Sequence, residues 1–154
     1  MTNQASLKID GTCLCGHVQY EAVIDPSIVR ICHCTQCQIH SSSAFRFGVM
    51  VPHTQFRLIR GDMKTYIKTA ESGAQRALLF CPECGTSIYG TTVIDPQMYS
   101  LRLGTARQRA DIMPAIQMWT RSELPWVSCL DQIPRTPTSI AAMNAAQAAA
   151  QEKA

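Results

Sequence analysis

Apolar and polar residues alternate along several short stretches of this chain. Between residues 17 and 24, Val18, Tyr20, Ala22 and Ile24 take every second position, the period of a strand with one buried face. Residues 44–51 and 56–59 read as strands, with Pro52-His53 turning between them. Gly61-Asp62 marks a second turn, ahead of a short strand at residues 65–67. Residues 77–80 run straight into Cys81, strands at 87–92 and 98–103 are separated by Asp95-Pro96, and residues 116–119 form the last one. Residues before about position 12 read as a polar lead-in. Short strands with a turn signal every ~8–12 residues predict a mainly β, antiparallel domain.

The character changes after Pro134 and Pro137. Thr138 or Ser139 is suited to cap a helix running through the alanine-rich end of the chain. Alanine favours helix but offers little surface to bury, so this helix is expected to be peripheral. The organisation predicted is one domain over residues 1–137 and a helical tail over 138–154.

Composition narrows the function classes. At 154 residues the chain is long enough for one modest core, and 46% hydrophobic with 16% charged residues is ordinary for a globular protein. A net charge of +3 with scattered Lys and Arg does not point to nucleic acid. No apolar run approaches the roughly 18–20 residues of a membrane span, so no membrane partner is expected. Residues 1–6 lack a basic segment followed by an apolar one, and a cytoplasmic location is the expectation. In a reducing compartment, thiols clustered at short spacing are metal ligands more often than disulfides.

Eight cysteines are the unusual feature. They fall as Cys13-Leu14-Cys15-Gly16, Cys32-His33-Cys34-Thr35-Gln36-Cys37 and Cys81-Pro82-Glu83-Cys84-Gly85, with Cys129 alone. At this density a cysteine meets another three residues on by chance about one time in twenty, so two CxxC and two CxC pairs are well beyond coincidence. Two thiolates spaced by two residues point at one ion from a tight turn, and Gly85 supplies the positive φ such a turn often needs. Gly16 offers the same freedom after Cys15.

Seven ligands divide as four plus three. Four protein ligands close a structural zinc, whereas three leave a position open for chemistry. Cys32, Cys34 and Cys37 lie close enough for one loop to hold an open zinc, which makes them the candidate catalytic residues. Cys13, Cys15, Cys81 and Cys84 then join as a structural site, for two zinc ions per chain. Other readings stay open at this point. All seven thiols can serve structural zinc, with His33 or His40 completing the second set, and a redox CxxC is a further alternative. Cys129 reads as a small buried hydrophobe. His33 is either a proton shuttle or solvent-facing, and Trp119 and Trp126 either wall a pocket or sit in a core. Arg30, Arg46 and Arg76 are candidates for meeting carboxylates.

These three cysteine motifs, together with Phe56, Gly61, Leu103-Gly104-Thr105, Trp119 and Pro125-Trp126, resemble the glutathione-dependent formaldehyde-activating enzyme family, which includes domains of the centromere protein V type. The resemblance spans roughly residues 10 to 137. It departs at Gln38-Ile39-His40-Ser41-Ser42-Ser43-Ala44, where the family commonly has a glycine at the position of Ser42 or Ser43. It implies a β-tent (Mss4-like) fold of small sheets around zinc and the same four-plus-three division of ligands. It also implies a carbon–sulfur lyase that makes S-hydroxymethylglutathione from formaldehyde and glutathione. The competing class is a non-catalytic zinc-binding module for a protein partner, and zinc storage or redox sensing is a third.

Overall fold

The computed structural model of the chain describes residues 6–141 and 144. The chain divides into two units, Met1–Glu123 and Leu124–Ala154. Ten strands among the described residues, all in the first unit, make the protein mainly β, as the alternation predicts. They are β1 (Leu7–Thr12), β2 (Gln19–Ile24), β3 (Arg30–Cys32), β4 (Arg46–Pro52), β5 (Phe56–Arg60), β6 (Lys64–Thr69), β7 (Gln75–Phe80), β8 (Ser87–Thr92), β9 (Met98–Arg102) and β10 (Ile116–Met118). One sheet has the order β1-β2-β5 and the other β10-β3-β4-β9-β8-β7-β6. All pairings are antiparallel except that of β10 with β3.

Two expectations need correcting. The polar lead-in is a strand, because Leu7 to Thr12 pairs residue for residue with β2 and puts Ile9 into the core. The segment read as a cysteine loop contains a helix, α1 (Thr35–Ser41). Its start is capped by the Cys34 side chain, which accepts the Cys37 N–H at 3.4 Å, a role usually taken by Ser, Thr, Asp or Asn.

The core lies between the two sheets. Alternate residues of β2 (Tyr20, Ala22, Ile24) face Val49, Val51 and Leu101 of the larger sheet within one buried cluster. Aromatic rings join the layers: Phe56 lies 5.3 Å from Tyr20, 5.1 Å from Tyr89 and 5.5 Å from Tyr99, and Tyr89 stacks on Tyr99 at 4.2 Å. Such pairs add about 0.5–1.5 kcal/mol each beyond the area they bury. The opposite side of β4 and β9 carries Arg46, Gly48, Ser100 and Arg102 instead. One face of the sheet is therefore core and the other is left for polar chemistry.

In the second unit, Pro125–Gln132 forms 3-10 turns that carry Trp126 and Cys129. Cys129 is half-buried and its sulfur lies 3.8 Å from the Ser128 hydroxyl, so it is not the core residue expected. Helical backbone begins at residues 140–141, and most of the alanine-rich helix expected over 138–154 lies outside the described residues. Among the described residues no helix is long and apolar enough to cross a membrane.

Candidate metal centres

The structure gathers the seven clustered cysteines into the two groups expected, with the sulfurs in each all within 4.8 Å of one another. In the first group, two turns meet. Cys13 N–H donates to Val18 O at 3.0 Å and Gly16 N–H to Cys13 O at 3.1 Å; Cys81 N–H donates to Thr86 O at 2.9 Å and Gly85 N–H to Cys81 O at 3.0 Å. Both turns close on a glycine at positive φ, +81° at Gly16 and +72° at Gly85, as the spacing requires. The Leu14 N–H donates to the Thr86 hydroxyl at 3.2 Å and so links one turn to the other.

The sulfur positions suit a tetrahedral ion. A zinc–sulfur bond of about 2.3 Å places tetrahedral ligands about 3.8 Å apart. Here Cys13 and Cys15 are 3.5 Å apart and Cys15 and Cys81 are 3.8 Å apart. Backbone and hydroxyl donors face the sulfurs, as they do around metal-bound thiolates. The Val18 N–H reaches Cys13 Sγ at 3.2 Å and the Thr86 hydroxyl reaches Cys84 Sγ at 3.1 Å. The Thr86 hydroxyl and N–H hold the Cys84 thiol down to about 5. Cys13 and Cys81 belong to the buried core, so this group ties the ends of β1 and β7 together inside the fold.

The second group is built differently. Cys32 ends β3, Cys34 caps α1 and Cys37 sits in the first turn of α1. Strand β10 runs beside β3 with Met118 opposite Cys32, and Gln38 pins the helix by donating to His33 O and Ser122 O, both at 2.7 Å. Arg46 donates from Nε to Cys37 Sγ at 3.2 Å. Burial acts to raise the Cys37 thiol, but the Arg46 charge and hydrogen bonding hold it below its ordinary value. Among the described residues the group contains three donors and no fourth.

The remaining candidates find definite places. His33 is fully buried rather than solvent-facing, edge-on to Phe45 at 5.7 Å. Its Nε2 donates to Gln117 Oε1 at 2.9 Å, and its Nδ1 has no hydrogen-bond partner. His40, on the last turn of α1, does not join the three sulfurs. Burial, then the charges of Arg102, Lys68 and Arg46, push its pKa down, which keeps it neutral at pH 7. Trp119 follows Met118 in the left-handed region at φ 60°, with the Arg121 guanidinium 4.6 Å from its ring centre. Residues Met118 to Arg121 line an open hollow of about 460 Å³. Arg76 lies on β7 opposite Lys68. Sequence reasoning missed Arg102, which enters the site face from β9.

The departure at Ser42 has a structural meaning. Ser42 is the C-cap of α1 and adopts φ 48°, ψ 41°, the left-handed conformation for which glycine is preferred. A non-glycine residue there costs roughly 1–2 kcal/mol, more than the roughly 0.5–1 kcal/mol of extra backbone entropy that glycine loses. Ser42→Gly is expected to raise stability by about 0.5–1 kcal/mol, read as a higher midpoint in urea unfolding. An unchanged or lowered midpoint would contradict this account of the cap.

A protein described as an uncharacterized lyase, from Schizosaccharomyces pombe (strain 972 / ATCC 24843), is 31% identical over 80 residues. The match covers 52% of this chain and 55% of that protein, so the chain spans about half the length of the curated relative it matches. A crystal structure of a Rhodobacter sphaeroides protein aligns with a TM-score of 0.49 at 20% identity, over 62% of this chain and 85% of that one. The family model described as "Glutathione-dependent formaldehyde-activating enzyme" matches residues 8–122, a span that holds both cysteine groups, and the chain belongs to that family.

Proposed function

We propose that this chain is a zinc-dependent carbon–sulfur lyase that forms or breaks a thiol–aldehyde adduct, with S-hydroxymethylglutathione as the reference product. Zinc would be held by Cys13, Cys15, Cys81 and Cys84 as a structural site and by Cys32, Cys34 and Cys37 as the reacting one. The observation that carries the reading is the gathering of three sulfurs, with no fourth donor among the described residues, on the polar face of the sheet. The family supports glutathione and formaldehyde as the reactants, and the relative from S. pombe supports a lyase class.

Zinc bound at the three-cysteine group would polarise an aldehyde oxygen or favour the thiolate form of a thiol. The residues around it suit that chemistry. Arg46 draws charge from Cys37 through its Nε–H, which moderates the electron richness of an all-sulfur ligand set. His40, kept neutral by burial and nearby cations, is a base able to take the proton released when a thiol adds to a carbonyl. Gln38 and the backbone bond from His33 N–H to Met118 O, at 2.9 Å, fix the helix and the neighbouring loop on either side of the cysteines. A binding module with two closed zinc sites would call for a fourth donor at the second group.

The test is exchange NMR on a mixture of formaldehyde and glutathione. The zinc-loaded protein is expected to speed exchange between free formaldehyde and the S-hydroxymethyl adduct, and a chelator that empties the three-cysteine site is expected to abolish the gain. Exchange at the uncatalysed rate with zinc-loaded protein would overturn the assignment.

A further inference from the structure

The register of the larger sheet places arginines side by side. Arg30 on β3 pairs with Gly48 on β4, and Gly48 pairs with Arg102 on β9, so one row across three strands reads arginine, glycine, arginine on a single face. Two positions along β4 on that face is Arg46, opposite Cys32. A Cβ at Gly48 would lie 2.5 Å from Leu101 O, so the close approach of β9 requires glycine there, and the Arg46 guanidinium lies beside it. Its Nη1 lies 3.4 Å from the position a Gly48 Cβ would take and donates to Ser100 Oγ at 2.5 Å.

Arg102 reaches the same serine from the other side, with Nη1 donating to Ser100 O at 3.3 Å and Nε to Ser87 Oγ at 3.4 Å. Its Nη2 lies 3.4 Å from the place a Gly90 Cβ would occupy, with Leu78 Cδ2 nearer that place at 3.0 Å. All three arginines are half-buried.

Among the described residues these charges have no carboxylate partner. The ion pairs among the described residues are His17–Asp62, Arg57–Glu21, Arg107–Asp10 and Arg121–Glu71, and none involves the three. The cysteines answer only part of the charge, since three thiolates around a divalent ion carry one net negative charge against three guanidinium groups. Half-buried like charges without counter-ions are unfavourable, and a bound anion relieves them. Planar, forked donors suit a carboxylate in particular.

We propose that Arg30, Arg46 and Arg102 form a carboxylate-binding subsite beside the three-cysteine centre, so that one reactant joined there carries a carboxylate. The inference rests on the reading of that centre as the reacting site. Arg46 is engaged with Cys37 and Ser100, Arg102 uses Nε and Nη1 on Ser87 and Ser100, and Arg30 uses Nη1 on Met118 Sδ at 3.8 Å, so the Nη2 groups of Arg30 and Arg102 are the donors offered to the incoming group. The carboxylate belongs either to a carboxyl-bearing aldehyde or to the peptide thiol.

Calorimetric titration of the full-length, zinc-loaded protein tests this at equilibrium, without relying on turnover. The probes are glyoxylate against methyl glyoxylate, and glutathione against its diester. At least one acid is expected to bind about tenfold or more tightly than its ester. Arg30→Gln and Arg102→Gln are each expected to weaken that acid about tenfold, leaving the ester and the zinc content unchanged. The preference shown by glyoxylate puts the carboxylate on the aldehyde; shown by glutathione alone, it puts it on the thiol. Equal binding of acids and esters by the wild type overturns the proposal. So do variants that bind the acid as the wild type does, or that lose zinc, since the arginines would then serve only to hold the thiolates. Failed adduct exchange with intact acid binding removes the lyase reading and leaves the subsite standing.

Discussion

Cys81→Ser is expected to leave the chain unfolded under conditions where the wild type is folded. Cys81 is fully buried, sits in the same core cluster as Cys13, and its sulfur lies 3.8 Å from that of Cys15. Structural zinc contributes on the order of 10 kcal/mol or more in small peptides, whereas a whole domain is stable by only about 5–15 kcal/mol. Losing one of four ligands therefore removes an amount comparable to the entire margin. The substitution also leaves three thiols and a hydroxyl where sulfurs filled the core. Circular dichroism during urea titration checks the result. A cooperative transition within about 2 kcal/mol of the wild type would show that the four-cysteine group does not hold the fold together.

Cys34→Ser is expected to do the reverse, abolishing adduct exchange while sparing the fold. A metal ligand matters at least as much as its supporting residues, whose loss alone costs about 10–100-fold, so a fall of about 100-fold or more is expected. Stability should change by less than about 1 kcal/mol, because serine is a preferred N-cap and can accept the Cys37 N–H that Cys34 accepts now. Exchange NMR and a urea midpoint on the same sample read the two effects together. Retained exchange would remove Cys34 from the reacting centre, and an unfolded variant would make the second group structural as well.

What could be read from the sequence follows distance along the chain. CxxC and CxC spacing are local, so both cysteine groups, and the two positive-φ glycines of the four-cysteine group, were visible in advance. A strand with a clean period of two, such as β2, was also legible. β3 was missed because it has three residues and is held by parallel pairing with β10, more than 80 positions later. Likewise, α1 escaped notice because its cap is a cysteine, outside the usual capping residues, and its seven residues show little apolar periodicity. Arg30 and Arg46 were candidates for binding carboxylates, but Arg102 was not. It reaches them only through the pairing of β4 with β9, a relation that no linear motif carries.

The division of seven cysteines into a closed group and an open one is the centre of the account. Zinc per chain, measured by elemental mass spectrometry on protein purified under reducing conditions, tests it most directly when wild type and Cys34→Ser are compared. The account predicts about two zinc ions in the wild type and about one in a folded Cys34→Ser variant. One zinc held throughout, or a variant that loses both ions and its fold, would contradict it.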